Sequence, residues 1–253
     1  MSDPLRLEER DGVMILWLDR GANALDHTAI AALDKTLSDL AGSRGAPALV
    51  LASSHPSVFC PGLDLKALDK QPRETVQAVM AAFNATLRRL ATYPGPAVAA
   101  VSGHAIAGGC LLALACDRRV MARSGARIGL SEVNLGFPVP AGAVTMLLAL
   151  YPTRAVEQLV LEGDGIGGER AFELGLVERL ADPAAVLADA CRQARHLASR
   201  PAVAYAAAKA FLRHRLAEAM ARRDEEEMER FLDLWFNPET QDRIGALVAS
   251  MRR

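Results

Sequence analysis

The sequence has few cysteines, and none of them are paired at a metal-binding spacing. Four occur among 253 residues, at Cys60, Cys110, Cys116 and Cys191. A structural zinc site needs a Cys-x-x-Cys pair or a Cys/His cluster, and the sequence contains neither. Since all four stand in apolar surroundings, we predict buried, reduced thiols in a cytoplasmic protein without a bound metal ion.

The chain also lacks an excess of charge and a long hydrophobic run. Its 29 Lys and Arg residues balance 30 Asp and Glu residues, which leaves a formal net charge of -1. This balance favours neither a nucleic-acid partner nor a membrane partner. The longest weakly polar run, residues 139–151, is shorter than the roughly 18 apolar residues of a membrane span. The acidic start MSDPLRLEERDG resembles neither a signal nor a transit peptide, so we expect a soluble protein.

Apolar sequence is abundant, at 51% of residues, which is enough for a large core. Apolar runs and alternation predict strands at residues 5–8, 13–19, 48–52, 97–101, 119–122 and 126–129. Helical spacing predicts helices at residues 27–40, 74–92 and 110–115, and almost continuous helix from residue 141 onward. The pattern indicates one α/β domain with a helical C-terminal portion, which we divide into a core at residues 1–195 and a helical region at 196–253.

Two glycine-containing segments follow predicted strands. The first is VFCPGLDL at residues 58–65, and the second is SGHAIAGGC at residues 102–110. Glycine lets the backbone approach a ligand closely, and a glycine pair that opens a helix presents free N–H groups to negative charge. The two segments could converge on an oxyanion hole. Each one alone could equally be an ordinary strand exit.

Together with GLSEVNLGFP at residues 129–138, these segments resemble the crotonase (enoyl-CoA hydratase/isomerase) superfamily. The resemblance extends from NAL at residues 23–25 to the helix that contains Lys209. It implies a spiral of ββα units and an acyl-CoA thioester substrate, with no cofactor other than the coenzyme A of that substrate. It also implies that the C-terminal helices serve oligomerisation, with a homotrimer or a dimer of trimers as the assembly. The thioester oxygen would lie between the N–H groups of Leu63 and Gly108.

The carboxylates around that hole decide the reaction. Hydratases of this family carry one glutamate three residues after the oxyanion-hole glycine and another in the later loop. Here the first position is Leu111, which cannot orient water, and the second is Glu132. A single base can still move a proton between two carbons. The pattern is similar to that of Δ3,Δ2-enoyl-CoA isomerases, which convert 3-enoyl-CoA to trans-2-enoyl-CoA, with Glu132 as the catalytic residue.

The family resemblance also implies substrate-binding roles for further residues. The expected substrate-binding residues are Gly62, Asp64, Lys66, Gly109, Leu111, Phe137 and Lys209. The two lysines could meet coenzyme A phosphates or could be plain surface residues. His104 could be a second acid/base, although a structural role is favoured. Thioester hydrolysis, decarboxylation, weak hydration and non-catalytic acyl-CoA binding stay open as alternatives.

Overall fold

Ten strands form two sheets within residues 3–251, the part of the chain that a computed structural model describes. The strands are β1 (Leu5–Arg10), β2 (Val13–Leu18), β3 (Leu49–Ser53), β4 (Val58–Cys60), β5 (Ala97–Val101), β6 (His104–Ile106), β7 (Arg118–Ala122), β8 (Arg127–Gly129), β9 (Ile166–Gly167) and β10 (Arg179–Ala181).

The larger sheet has the strand order β1-β2-β3-β5-β7-β10 and is parallel except for the β1–β2 pair. Its strands β3 and β5 are buried along their whole length, which explains why their sequences are continuous apolar runs rather than alternating ones. The smaller sheet has the order β4-β6-β8-β9. Each of β3, β5 and β7 in the larger sheet is followed by a strand of the smaller sheet and then by helix, so the chain repeats a ββα unit.

Twelve α-helices complete the described part of the chain. They are α1 (His27–Gly42), α2 (Leu65–Leu68), α3 (Arg73–Ala91), α4 (Gly108–Ala115), α5 (Glu132–Leu135), α6 (Ala141–Leu150), α7 (Thr153–Glu162), α8 (Gly168–Glu173), α9 (Val186–Ala198), α10 (Ala202–Leu212), α11 (Leu216–Trp235) and α12 (Pro238–Ser250). None of the helices within residues 3–251 is long and apolar enough to cross a bilayer.

The α/β architecture with a helical C-terminal portion is as predicted, but one detail differs. The segment after residue 141 is not purely helical, because β9 and β10 lie within it and β10 pairs with β7 at the edge of the larger sheet. These strands have only two and three residues, too few to give a periodic signal. The division between residues 195 and 196 lies inside α9, which packs against β5 and β7.

The C-terminal helices fold back on the same chain. α11 packs against α3 and α6, and α12 packs against α2 and α5. Exposed ion pairs connect α11 to α3, since Arg73 on α3 lies 2.8 Å from both Glu229 and Asp233 on α11. Asp224 accepts a hydrogen bond from the Gly142 N–H at 2.9 Å, at the start of α6.

Helix α10 is attached to the core by buried charges. The ammonium group of Lys209, only 7% exposed, donates to Asp117 at 2.7 Å and to the Gly95 carbonyl at 3.0 Å. Arg213 also pairs with Asp117, at 2.9 Å. Asp117 accepts the N–H of Ala97, the first residue of β5, so the carboxylate joins α10 to the larger sheet.

Lys209→Met should therefore destabilise the protein by about 3 kcal/mol, because it removes one partner from a buried charge cluster. The measurement is the free energy of unfolding in urea. Lys35→Met is the matched control, since Lys35 pairs with Asp39 on the exposed face of α1, and exposed i,i+4 pairs contribute only about 0.3–0.5 kcal/mol. Equal losses in the two variants would contradict a structural role for Lys209.

Candidate active site

The two glycine-containing segments lie side by side in the smaller sheet. β4 pairs in parallel with β6, with Val58 opposite His104 and Cys60 opposite Ala105. The chain then enters α4, where Gly109 packs directly on β4. A Cβ at Gly109 would overlap the Cys60 carbonyl oxygen. Only glycine permits this approach, so the residue type found at 109 brings the segments together.

Hydrogen bonds to Leu25 set the direction of the Leu63 N–H group. Leu25 donates to the Gly62 carbonyl at 2.9 Å and accepts from the Asp64 N–H at 3.1 Å. In such a parallel bridge the flanking peptide groups make both bonds, so the N–H of Leu63 points away from Leu25. Gly62 has a φ of +95°, which permits this turn without side-chain strain.

The second N–H group belongs to Gly108, the first residue of α4. Ala107 before it has a φ of +50°, an uncommon conformation for a residue with a side chain. A Cβ at Gly62 would lie 2.9 Å from the Gly108 nitrogen, which shows how closely the segments meet. Within residues 3–251 neither the Leu63 nor the Gly108 N–H has a protein acceptor. The geometry suits two donors that converge on one oxyanion.

Asn23 fixes the loop that supplies Leu25. Its side-chain Nδ2 donates to Ser53 Oγ at 2.8 Å and to the Phe59 carbonyl at 3.1 Å, and its Oδ1 accepts the Arg20 N–H at 3.1 Å. These bonds join the β2–α1 loop to β3 and β4. The sequence marked Asn23 only as part of the family resemblance, because its partners are 30 and 36 residues away.

A cavity of about 860 Å³ opens beside the two N–H groups. Leu63, Gly108 and Glu132 line it together. Its size lies near the upper end of the roughly 300–1,000 Å³ of small-molecule sites. Most of the remaining lining is apolar, and it includes Met80, Phe83, Leu111, Leu135, Phe137, Pro140, Phe231, Trp235 and Leu247.

Glu132 is the one buried ionisable residue among those that line the cavity, with 5% of its surface exposed. Burial disfavours the charged form and raises the pKa of its carboxyl group to about 7, although its own N–H and that of Ser131 act in the opposite direction. Its Oε2 atom has no hydrogen-bond partner in the described part of the chain. A carboxyl group with a pKa near neutrality can both accept and return a proton.

Two further carboxylates line the cavity, and both already have ion-pair or hydrogen-bond partners. Asp26 lies 2.6 Å from Arg20 and accepts the Ala29 N–H at the start of α1. Asp64 accepts the N–H groups of Lys66 and Ala67 and so caps α2. The sequence reasoning did not identify Arg20 or Asp26 as cavity residues, since nothing in the pattern before α1 indicates which way the loop turns.

The structure brings only some of the proposed site residues to the cavity. Lys66 lies at its exposed edge, where its ammonium group donates to the Met251 carbonyl at 3.1 Å. Gly62 supports the Leu63 peptide, whereas Gly109 packs behind the cavity against β4. Lys209 is not among the lining residues, because its charge is bound to Asp117 beneath α10. His104, on the β6 strand, is also not among them.

Sequence reasoning missed the contribution of α11. Phe231 and Trp235 project from it into the cavity wall beside Phe137. Their i,i+4 spacing indicates one buried helical face, but it does not reveal which surface that face covers.

The raised pKa of Glu132 predicts how stability depends on pH. A folded-state pKa of about 7, against an ordinary value of 4.5, means that the folded protein binds the proton more tightly than the unfolded chain does. Stability should therefore fall as the pH rises from about 4.5 to about 7 and stay lower above it. The free energy of unfolding of Glu132→Gln should exceed that of the wild type by about 3 kcal/mol at pH 8. At pH 4.5 the two values should differ little.

The free energies of unfolding are measured by urea titration at both pH values. Glu225→Gln is the control, because Glu225 is exposed and the loss of its charge should not change the stability of the fold. An equal or lower stability for Glu132→Gln at pH 8 would mean that the carboxylate is not desolvated in the folded protein.

Known proteins of similar sequence and structure identify the family of this chain. A family model described as enoyl-CoA hydratase/isomerase matches residues 8–243. The human mitochondrial methylglutaconyl-CoA hydratase is 31% identical over 185 residues, which are 71% of this chain and 54% of that protein. The chain thus spans little more than half the length of that relative.

Two solved structures show the same fold. The human mitochondrial delta3-delta2-enoyl-CoA isomerase superposes with a TM-score of 0.92 over 98% of both chains, at 23% identity. An enoyl-CoA isomerase of Mycobacterium tuberculosis superposes with a TM-score of 0.82 over 91% of this chain and 100% of that chain, at 29% identity. Because the family model matches most of its length, the chain belongs to the enoyl-CoA hydratase/isomerase family, the crotonase superfamily.

Proposed function

We propose that the protein is an acyl-CoA double-bond isomerase that converts 3-enoyl-CoA to trans-2-enoyl-CoA, with Glu132 as its single acid/base. The observation that carries the proposal is the isolation of Glu132. It is buried in an otherwise apolar part of the cavity, and the two other lining carboxylates are bound to Arg20 and to the start of α2. A lone carboxyl group suits a reaction in which one group first removes a proton and then returns it.

In this mechanism the Glu132 carboxylate removes a proton from C2 of the 3-enoyl thioester. The electrons move onto the thioester oxygen, which the N–H groups of Leu63 and Gly108 stabilise as negative charge develops. The resulting dienolate takes the same proton back at C4, so the double bond lies between C2 and C3. Atoms and charge balance without a metal or a redox cofactor, and the carboxylate is regenerated.

Burial assists both halves of this cycle. The raised pKa makes the carboxylate a stronger base toward C2 and keeps the resulting acid close to neutrality when it protonates C4. The apolar wall excludes water, which strengthens the interaction between the oxyanion and the two N–H donors.

Hydration is the second candidate, because the human relative with 31% identity is described as a hydratase. Adding water requires that a group orient and deprotonate it while a second group protonates the α-carbon. The side chain at position 111 is a leucine that is 1% exposed and lines the cavity, so it offers neither function. This observation favours isomerisation over hydration.

We include in the same proposal the oligomerisation that the family resemblance implies. Helix α10 presents Val203, Phe211 and Leu212 to solvent with more than four-fifths of each side chain exposed. Exposed apolar residues that share one helix are typical of an interface. A homotrimer or dimer of trimers stays a prediction, and its test is the molar mass in solution against the 27.0 kDa of one chain.

Glu132→Gln should reduce isomerisation of 3-enoyl-CoA by about 10²–10⁴-fold, since the amide keeps the size of the side chain but cannot accept the proton. Acyl-CoA affinity should change little, because the N–H groups and the cavity wall remain. The measurements are turnover of 3-hexenoyl-CoA and binding of an unreactive saturated acyl-CoA to the same preparation.

His104→Gln is the matched control and should keep nearly full turnover, because His104 does not line the cavity. Wild-type protein should hydrate crotonyl-CoA far more slowly than it isomerises the 3-enoyl thioester. A loss below about tenfold in Glu132→Gln with intact binding, or hydration as fast as isomerisation, would contradict the proposal.

A further inference from the structure

A chain of hydrogen bonds between buried side chains joins the β2–α1 loop to the segment that leads into Leu63. Ser53 Oγ donates to the Val58 carbonyl at 2.6 Å. It also accepts from Asn23 Nδ2 at 2.8 Å, and the same amide nitrogen donates to the Phe59 carbonyl at 3.1 Å. The side chains of Ser53 and Asn23 thus hold two successive carbonyl groups of β4.

Cys60 continues this chain of bonds on the other side of Asn23. Its Sγ donates to the Asn23 main-chain carbonyl at 3.2 Å and accepts from the Gly62 N–H at 3.5 Å. The thiol is completely buried, and this burial raises its pKa to about 12. Cys60 therefore stays protonated near neutral pH and keeps the hydrogen that its bond to Asn23 requires.

We call Asn23, Ser53 and Cys60 together the loop clamp. Asn23 stands just before Leu25 in one segment, and Cys60 stands just before Leu63 in the other. Leu25 and Leu63 form the parallel bridge that directs the Leu63 N–H away from Leu25. The loop clamp therefore holds the two segments together immediately before the bridge that orients this donor.

Asn23 is the centre of the loop clamp and has an uncommon backbone conformation. Its φ is +64°, in the left-handed region, which asparagine tolerates better than most residues with a side chain. Within residues 3–251 the Cys60 thiol is the one donor to the Asn23 main-chain carbonyl. Loss of the thiol would leave this buried acceptor without a partner, which is costly and favours a displaced loop.

We propose that the loop clamp positions the Leu63 N–H in the oxyanion hole, which makes Cys60 and Ser53 positioning residues. The inference rests on the proposed function, because it takes the Leu63 N–H as an oxyanion donor. Neither side chain lines the cavity, so both act through the peptide groups that they hold. An oxyanion donor is effective only if it is already fixed where charge develops, and a misplacement of about 1 Å can cost about 10²-fold in rate.

Cys60→Ala removes the thiol and both of its hydrogen bonds. Turnover of 3-hexenoyl-CoA should fall about tenfold, which is part of the roughly 10²–10³-fold that loss of a whole oxyanion donor costs. Affinity for unreactive hexanoyl-CoA should change little, because the bond to the thioester oxygen strengthens in the transition state. Cys60→Ser should recover most of the turnover, since a hydroxyl group can donate to Asn23 and accept from Gly62.

Two further variants separate positioning from packing. Ser53→Ala breaks the loop clamp at its other end and should lower turnover in the same way, with binding retained. Cys116→Ala is the matched control, because Cys116 is buried like Cys60, donates to the Leu112 carbonyl at 3.5 Å and does not line the cavity. Although it loses the same kind of buried sulfur atom, this variant should turn over substrate like the wild type.

Infrared spectroscopy of a bound thioester reports the position of the Leu63 N–H directly. Hexanoyl-CoA with an isotopic label at its carbonyl carbon is not turned over, and well-placed N–H donors lower its C=O stretching frequency. Wild type, Cys60→Ser and Cys116→Ala should give the same frequency, which is lower than that of the ligand in water. Cys60→Ala and Ser53→Ala should give frequencies between these two values.

The possible results distinguish this inference from the proposed function. Equal, lowered frequencies in wild type, Cys60→Ala and Ser53→Ala would overturn the role of the loop clamp and leave the oxyanion hole intact. Turnover in Cys116→Ala as low as in Cys60→Ala would also overturn it, because packing alone would then explain the loss. A wild-type frequency equal to that in water would contradict the oxyanion hole, and with it the role of the clamp. The expected frequencies without isomerase activity would support the clamp and contradict only the proposed reaction.

Discussion

The close contact between two backbone segments is the constraint on which the site depends. Residues 58–63 and 103–109 can lie against each other only because glycine stands where they touch, as at Gly109 beneath the Cys60 carbonyl. That contact fixes the start of α4 and the Gly62 turn, and with them the N–H groups of Gly108 and Leu63. The oxyanion donors that we propose are therefore backbone groups on a rigid scaffold, which would cost no reorganisation when charge develops.

The burial of Glu132 is the second condition, and it has opposite effects on stability and chemistry. The same desolvation that raises the pKa of its carboxyl group to about 7 makes the ionised folded state less stable. Ionisable groups kept in apolar surroundings at such a cost are typical of active sites. The surrounding wall comes from distant parts of the chain, with Leu111 from α4 and Trp235 from α11, so the helical C-terminal region contributes to the cavity of the same chain.

The sequence predicted the elements with long periodic or apolar signals well, because β5 has the predicted bounds and α3 differs by one residue at each end. Its glycine residues indicated that the two segments could converge, and only the family resemblance placed Glu132 beside them. It could not predict β10, whose three residues carry no pattern, or the partner of Lys209, since a lysine in a helical sequence gives no sign that it pairs with Asp117. Contacts of this kind, like those of Phe231 with Phe137, depend on how helices pack after the chain has folded.

The central claim is that a single carboxyl group carries one proton from C2 to C4. Isotope transfer tests this claim most directly. A 3-enoyl-CoA deuterated at C2 would be converted in ordinary water, and early product would be analysed for deuterium at C4. Since Glu132 is shielded from solvent, a measurable fraction of the product should carry the label at C4. Product labelled only with solvent hydrogen at C4, even at the lowest conversion, would indicate two separate groups or open exchange with water and would contradict the account.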